Sequence, residues 1–128
     1  MKLALLALAI AIPIVASAKV VGKAVEYKVG DITLKGYLAY DNSIKGKRPG
    51  IIVVHEWWGL TDYPKKRAEM LAKLGYVALA ADMYGDGKTA DNPGDAQKAA
   101  GESMKDINLY KAKFVAALDF LKQDEHTD

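Results

Sequence analysis

An uninterrupted apolar segment that stops at a polar and aromatic corner constrains the fold of this chain more than any other feature. The apolar segment is residues 51–54, Ile-Ile-Val-Val, and the corner is residues 55–59, His-Glu-Trp-Trp-Gly. Four consecutive residues without a polar side chain predict a strand that is buried on both faces of a parallel sheet. Functional loops gather at the carboxyl ends of such strands, so we expect the chemistry of this protein at the corner.

Residues 1–18 have the pattern of a secretory signal peptide. A lysine follows the first methionine, residues 3–15 are almost wholly apolar, and Ala16-Ser17-Ala18 matches the small-x-small pattern of a signal peptidase site. A transmembrane anchor would need about 20 apolar residues, which is more than this segment provides. We therefore expect cleavage after Ala18, a periplasmic or secreted mature protein, and no stable membrane anchor. An uncleaved anchor is the alternative.

The composition excludes several classes of protein. A formal net charge of +2 leaves no basic surface that could neutralise many phosphates, so we expect no nucleic-acid partner. Because the sequence contains no cysteine, it has neither a disulfide framework nor a thiolate metal site nor a cysteine nucleophile. A hydrophobic fraction of 51% without low-complexity tracts indicates a globular domain with its own core.

The predicted order of elements is strand, strand, strand, helix, strand, loop and helix. Residues 25–29 and 32–40 alternate apolar with polar side chains on either side of Gly30-Asp31, which predicts a β-hairpin with a tight turn. Residues 41–50 are rich in turn formers and charge, and we therefore interpret them as a solvated connector to the apolar strand.

A β-α-β unit is predicted to include the corner. Its helix is expected to begin near Pro64 with Thr61 or Asp62 as its cap, and Gly75 suits the left-handed end of a helix. The predicted inner face of this helix consists of Met70, Leu71 and Leu74. Residues 76–81 resume a strand, which completes a unit that should be right-handed.

The last part of the chain is predicted to contain a loop and one helix. Residues 83–94 are rich in glycine, aspartate and other turn formers, and apolar residues then recur at helical spacing at Ile107, Tyr110, Phe114, Ala117, Leu118 and Leu121. A crossover helix ought to lead into another parallel strand, but the sequence ends at Asp128. We therefore expect residues 19–128 to be one partial domain whose C-terminal half is missing, with an open sheet edge that favours self-association.

Several motifs of known chemistry fail on inspection. His55 and Glu56 lack the second histidine of the zinc-protease pattern H-E-x-x-H, and the other histidine, His126, is expected to be solvated in a polar tail. Residues 87–89, Gly-Lys-Thr, lack the first glycine of a phosphate-binding loop. No serine, including Ser103, lies on a glycine-flanked elbow between a strand and a helix, so none is a plausible nucleophile. We expect no metal and no cofactor.

Two polar residues at strand ends are assigned structural roles. The Asp82 carboxylate can accept backbone N–H bonds that hold the turn at Tyr84 and Gly85, and we favour this role over that of a catalytic acid. His55 is interpreted as a hydrogen-bonded corner residue rather than a proton carrier.

The sequence of residues 50–86 resembles the dienelactone hydrolase family of α/β-hydrolases. The resemblance rests on Gly-Ile-Ile-Val-Val-His-Glu-Trp-Trp-Gly-Leu from residue 50 and on Gly-Tyr-Val-Ala-Leu-Ala-Ala-Asp-Met-Tyr-Gly-Asp from residue 75, and it extends more weakly over residues 25–121. It implies the N-terminal portion of an α/β-hydrolase fold, in which an antiparallel hairpin leads into a mostly parallel sheet with flanking helices.

The resemblance also implies a hydrolase that acts on carboxylic ester or lactone bonds of small molecules by nucleophilic acyl transfer. The family's nucleophile, its histidine base and its aspartate would lie beyond Asp128, so we expect this chain alone to be inactive. Glu56 matches the family glutamate that contacts the nucleophile, and Trp57 matches the residue whose backbone N–H contributes to the oxyanion hole. We assign substrate binding to Trp58 and Tyr84.

Alternatives remain open for the aromatic corner, the substrate and the function. Trp57 and Trp58 can wall an acyl pocket and exclude water, or they can be ordinary core residues. The family's carboxylate clamp uses an arginine after the Asp-Met-Tyr turn, whereas residues 86–128 contain no arginine and Lys98 is the nearest substitute. A broader ester is therefore expected as readily as a small acidic lactone. The alternative function is a noncatalytic periplasmic binding or interaction module, with the two tryptophans as a platform for a sugar or a peptide.

Overall fold

The computed structural model describes residues 17–128, so residues 1–16 of the predicted signal peptide lie outside the described residues. Residues 17–128 form four strands and three helices. In chain order they are β1 (Val20–Val29), β2 (Ile32–Asp41), β3 (Gly50–Val54), α1 (Asp62–Lys73), β4 (Val77–Ala81), α2 (Pro93–Lys105) and α3 (Ile107–Gln123). No helix within these residues is long and apolar enough to cross a membrane.

The four strands form one mixed sheet in the order β1-β2-β4-β3. β1 and β2 are the predicted antiparallel hairpin, in which Val29 faces Ile32 across a turn where Gly30 has a φ of +54°. β1 begins at Val20 rather than at residue 25 as the sequence predicted. β2 also pairs antiparallel with β4, and β4 pairs parallel with β3. The prediction of an α/β fold with a hairpin leading into a sheet with flanking helices is confirmed.

Helices cover both faces of this sheet. All five residues of β4 are apolar and buried, and successive side chains of a strand point to opposite faces, so each face needs a covering layer. One face packs against α3, and its buried residues are Leu38, Tyr40, Val77, Leu79, Ala81, Met83, Ala117 and Leu121. The other face packs against α1, and its buried residues are Ala39, Leu60, Ala68, Ala72, Ala78 and Ala80. The second set is mostly alanine, so α1 can lie close to the strands.

The predicted inner face of α1 is wrong for two of its three residues. Met70 and Leu74 are 51% and 76% exposed, and only Leu71 packs partly against the sheet. The buried residues of α1 are Pro64, Ala68 and Ala72, at a regular spacing of four. Alanine on the helix faces alanine on the strands, so the two can approach closely, and a close approach leaves no room for larger side chains.

The prediction that residues 51–54 are buried on both faces is also wrong within the described chain. The middle residues of β3 are only partly buried and Val54 is 44% exposed, whereas every residue of β4 is buried. The difference follows from position in the sheet. β3 has one neighbouring strand among residues 17–128, whereas β4 lies between two strands.

Residues 93–105 form a helix, α2, that the sequence analysis missed. Its start is conventional, because the Asn92 side chain accepts a hydrogen bond from the Asp95 N–H at 3.0 Å and Pro93 occupies the first turn. Ala96 is its one buried residue, so α2 has no stripe of large apolar side chains that would mark it in the sequence.

The segment after α3 is ordered by contacts and is not the solvated polar tail that we predicted. The His126 ring stacks on Tyr40 with 4.0 Å between ring centroids, and its Nδ1 lies 3.0 Å from the Asp124 carboxylate. Thr127 is buried and forms a parallel bridge with Arg48. These contacts attach the segment to the connector that precedes β3.

Candidate active site

The corner and the loop after β4 meet at one edge of the sheet. β3 and β4 are parallel neighbours, so their carboxyl ends lie side by side. The corner, residues 55–59, follows β3. Residues 82–87, which we call the β4 turn, follow β4.

Asp82 organises the β4 turn through its carboxylate, as predicted. It is fully buried. One carboxylate oxygen accepts hydrogen bonds from the N–H groups of Tyr84 at 3.1 Å and Gly85 at 2.8 Å. The other accepts from Gly87 at 2.9 Å and from Lys35 on β2 at 3.0 Å. Four backbone donors therefore satisfy the buried charge and fix the turn to the hairpin.

The hydrogen bonds of His55 determine its tautomer. The Met83 N–H donates to Nε2 at 3.1 Å, so Nε2 must carry a lone pair. Nδ1 lies 2.6 Å from the Glu56 carbonyl oxygen, which can only accept, so Nδ1 must carry the proton. His55 is buried, and both of its ring nitrogens are occupied by backbone groups. This geometry agrees with the predicted role of a corner residue and leaves neither nitrogen free to move a substrate proton.

The same contacts fix the direction of the Trp57 amide. The Glu56 carbonyl and the Trp57 N–H belong to one peptide group, which is planar and trans, so they point in opposite directions. The carbonyl accepts from His55 and from the Gly59 N–H at 3.3 Å. Within residues 17–128 the Trp57 N–H donates to no acceptor. A fixed and unused backbone donor is what an oxyanion site requires.

Glu56, Trp57 and Tyr84 line one cleft of about 200 Å³. α2 and α3 complete its wall with Ala100, Ser103, Met104 and Tyr110. The Tyr84 hydroxyl donates to the Trp57 carbonyl at 2.8 Å, and the Tyr84 ring meets the His55 ring edge-on at 4.7 Å between centroids. Burial raises the pKa of the Tyr84 phenol, so this hydroxyl stays a donor at neutral pH.

The structure brings three of the four predicted site residues to this cleft and leaves Trp58 outside its lining. The rings of Trp57 and Trp58 are 5.2 Å apart with an interplanar angle of 64°. The Trp58 carbonyl accepts from the Ala90 N–H at 2.9 Å, which holds the loop after the β4 turn. Neither tryptophan belongs to the two buried clusters of the core. The core-packing interpretation is therefore wrong for Trp57, which is 42% exposed.

Lys98 does not reach the cleft. It is exposed and lines a separate surface depression formed by α2 alone, so it cannot replace an arginine that holds a carboxylate at the corner. Ser103 lies on the cleft wall, but its hydroxyl donates to the Ala100 carbonyl at 2.9 Å, as a helical serine commonly does. Among the described residues no group of acidic, histidine or cysteine side chains could hold a metal ion.

Lys113 on α3 is the residue at this site that sequence reasoning missed. It is only 6% exposed, and its ammonium donates to the carbonyls of Tyr84 at 2.8 Å and Met83 at 3.3 Å. Burial lowers the pKa of the ammonium, and the Asp82 carboxylate opposes this effect. A signal was present in the sequence, because Lys113 shares the buried face of α3 with Ala117 and Leu121. A lysine within an apolar helical stripe needs a buried partner.

Comparisons with known proteins agree on one family. The dienelactone hydrolase family model matches residues 34–128. Protein usf of Aquifex pyrophilus is 39% identical over 111 residues, which are 83% of this chain and 46% of that protein. The solved structure named m3DLH is 35% identical with a TM-score of 0.81, over 85% of this chain and 45% of that one.

A second solved structure is a dienelactone hydrolase-like promiscuous phosphotriesterase from metagenomic libraries. It is 34% identical with a TM-score of 0.80, over 86% of this chain and 46% of that one. The chain thus spans about half the length of the relatives that it matches. Because the family model matches most of the chain and the fold agrees, this chain belongs to the dienelactone hydrolase family.

Proposed function

We propose that the protein is a hydrolase that cleaves carboxylic ester or lactone bonds of small molecules by nucleophilic acyl transfer. In this proposal the corner supplies part of the oxyanion site. The observation that carries it is the Trp57 N–H, which has no acceptor within residues 17–128 and belongs to a residue that lines one cleft together with Glu56. Membership of the family supports hydrolysis as the reaction class.

The proposed role of Trp57 follows from the charge that develops during acyl transfer. A carbonyl oxygen becomes negative as the nucleophile attacks, and a fixed backbone donor in a sheltered site stabilises that charge without reorganisation. The Glu56 carbonyl of the same peptide group is held by His55 and Gly59, so this peptide group cannot rotate at low cost. Loss of one such donor typically costs roughly 3 to 4 kcal/mol of transition-state stabilisation.

The proposed role of Glu56 is to accept a proton or a hydrogen bond from the nucleophile. Its side chain lines the cleft and forms no hydrogen bond or ion pair with the other described residues. The nucleophile, the histidine base and the aspartate are proposed to come from outside this sequence, as the family resemblance implies. The 128-residue chain by itself is therefore proposed to be inactive.

The test of the proposed function separates the Trp57 backbone from its side chain. In the full-length enzyme, the Trp57 residue is replaced by the corresponding α-hydroxy acid, which exchanges the N–H for an ester oxygen and keeps the indole. Hydrolysis of p-nitrophenyl acetate should fall in kcat by about 100-fold to 1000-fold. Trp57→Phe, which keeps the N–H, is the matched control and should lose far less. Equal losses in the two variants would refute the role of the amide.

Glu56 is tested separately with Glu56→Gln in the full-length enzyme. The exposed Glu26 on β1 provides the control Glu26→Gln. We expect turnover to slow in the first variant and to stay unchanged in the second. A neutral phosphotriester should be assayed beside the acetate ester, because a similar structure is that of a promiscuous phosphotriesterase. Unchanged turnover of both substrates by Glu56→Gln would remove the role proposed for this carboxylate.

Location and association belong to the same proposal. We propose that residues 1–18 direct export and are cleaved after Ala18, and N-terminal sequencing of protein recovered from a secreting host tests this.

We also propose that the chain self-associates through β3, which has one neighbouring strand among residues 17–128. Size-exclusion chromatography of residues 19–128 should show a dimer or larger species, and a stable monomer would contradict it.

The alternative of a binding module with a tryptophan platform receives no support from the geometry. A platform for a sugar or a flat peptide group needs ring faces that can be covered together. The ring planes of Trp57 and Trp58 are 64° apart, so one flat ligand cannot stack on both.

A further inference from the structure

Lys113 is a buried cation whose ammonium contacts the β4 turn. An ammonium loses its hydration when it is buried, and here the two groups that accept its hydrogen bonds are neutral carbonyls of Met83 and Tyr84. An apolar side chain at this position would fill the stripe formed with Ala117 and Leu121 at a lower desolvation cost. The contacts with the two carbonyls are therefore what a lysine provides here and an apolar side chain would not.

The two residues that Lys113 holds are also the two residues that hold the corner. The Met83 N–H donates to His55 Nε2, and this bond places the ring proton on Nδ1. The Tyr84 hydroxyl donates to the Trp57 carbonyl. Each residue therefore uses its carbonyl to bind Lys113 and another polar group to bind the corner. A displacement of the ammonium would therefore affect the peptide group before Trp57, through His55, and the carbonyl of Trp57, through the Tyr84 hydroxyl.

We propose that Lys113 is a positioning residue for the oxyanion amide. It restrains the Met83–Tyr84 segment, and this segment sets the tautomer of His55. The Nδ1 proton of His55 then holds the Glu56 carbonyl and with it the direction of the opposed Trp57 N–H. This inference rests on the proposed function, because it assigns Lys113 to the same amide. We call this series of contacts, from Lys113 through Met83, Tyr84 and His55 to the Glu56 carbonyl, the relay. No proton is transferred along it, and each member acts only by holding the next.

Two substitutions of Lys113 test the relay, and they differ in whether a charged N–H donor remains at position 113. Lys113→Met removes the ammonium and keeps most of the side-chain volume, whereas Lys113→Arg keeps a buried cation with N–H donors. Lys111→Met on the exposed side of the same helix is the control. Far-UV circular dichroism and thermal unfolding establish that each variant of the 128-residue chain is folded before the corner is examined.

The corner can be observed directly because the sequence contains 2 tryptophans and both lie in it. In ¹⁵N-edited NMR spectra, Lys113→Met should shift the Trp57 backbone amide and both indole resonances, and tryptophan fluorescence should become more sensitive to acrylamide. Lys113→Arg should restore most of both signals, and Lys111→Met should leave them unchanged. A folded Lys113→Met chain with an unshifted Trp57 amide would overturn the inference.

Two further measurements cover the remaining outcomes. If Lys113→Met does not fold, ring ¹⁵N shifts of His55 in the unaltered chain still test the relay, because an Nε2–H tautomer would contradict it and an Nδ1–H tautomer would support it. In the full-length enzyme, Lys113→Met should lower kcat by up to about 100-fold with little change in KM, and Lys113→Arg should rescue it. An unchanged kcat, under conditions where the Trp57 ester lowers it, would overturn the inference.

A different set of results would refute the proposed function while leaving the link from Lys113 to the corner intact. In that case the NMR and fluorescence changes of Lys113→Met would appear as expected, but neither the Trp57 ester nor Glu56→Gln would affect turnover. Such a result would support the mechanical link from Lys113 to the corner and refute the assignment of an oxyanion role to the Trp57 amide.

Discussion

Gly59 lies where the backbone of the corner packs against residues 88–89, and adding one methyl group there tests how tightly the two segments are packed. Gly59 is buried and has a φ of +84°. It forms an antiparallel bridge with Thr89, and a Cβ at this position would overlap the Lys88 carbonyl oxygen and lie 3.0 Å from the Thr89 Cα. Gly59→Ala therefore has two costs, because it places a side chain on a left-handed residue and forces a backbone segment to move.

Gly46 separates these two costs. Its φ is +82°, nearly that of Gly59, but a Cβ there would meet nothing within 4 Å. A non-glycine residue in this region costs about 1 kcal/mol from backbone strain, and both variants should lose that amount. Overlap with fixed backbone adds about 1 to 3 kcal/mol for Gly59→Ala alone. We therefore expect a loss of about 1 kcal/mol for Gly46→Ala and about 2 to 4 kcal/mol for Gly59→Ala.

The assay is urea-induced unfolding of the 128-residue chain followed by far-UV circular dichroism. This signal does not depend on the tryptophans, which Gly59→Ala is expected to disturb. Tryptophan fluorescence is recorded in parallel and should change for Gly59→Ala but not for Gly46→Ala. If the two variants lose the same free energy of unfolding, the close approach of the corner to residues 88–89 is not a structural constraint, and the reasoning from Gly59 is wrong.

Three other predictions concern the β4 turn, the core and activity. Asp82→Asn should lower the free energy of unfolding by roughly 3 kcal/mol or more, since an amide nitrogen would face two of the four backbone donors, whereas the exposed Asp119→Asn should have little effect in the same urea titration. Tyr27→Phe should not destabilise the chain at pH 7, because the buried Tyr27 hydroxyl has no hydrogen-bond partner among the described residues. Burial raises the pKa of Tyr27 to about 12, while an unfolded tyrosine titrates near 10, so stability falls as pH rises from 10 to 12 and Tyr27→Phe should lose less of it in that window. The 128-residue chain should hydrolyse p-nitrophenyl acetate no faster than its Glu56→Ala variant, and a clear excess would contradict the predicted inactivity.

The elements that the sequence predicted correctly are those in which hydrophobic periodicity coincides with burial. The β1–β2 hairpin has an alternating pattern and a glycine with positive φ, and β4 is an apolar run that lies between two strands. α2 was missed because Ala96 is its one buried residue. The inner face of α1 was wrong because large apolar residues were preferred over alanine, whereas the facing strand surface accepts only small side chains.

The location of a candidate site residue could be predicted where it follows from the position of that residue in the chain. Glu56 and Trp57 follow a parallel strand, and Asp82 follows its neighbour, so their convergence could be expected. Lys113 could not be placed in the same way, because 29 residues separate it from Tyr84 and its contact depends on how α3 packs. Lys98 was chosen by proximity in sequence, but the orientation of α2 directs it away from the cleft.

The β4 turn explains why two opposite charges are buried at one end of the sheet. Once the chain leaves β4, its backbone groups lose their ladder partners and must be satisfied by other groups. Asp82 accepts the N–H of Tyr84, and Lys113 donates to the carbonyl of the same residue. The carboxylate and the ammonium also attract one another, which offsets part of the cost of burying each. Because one residue is held by both charges, the turn has little freedom to adjust. In the scheme proposed above, the amide direction at Trp57 therefore depends on this pair as well as on the corner itself.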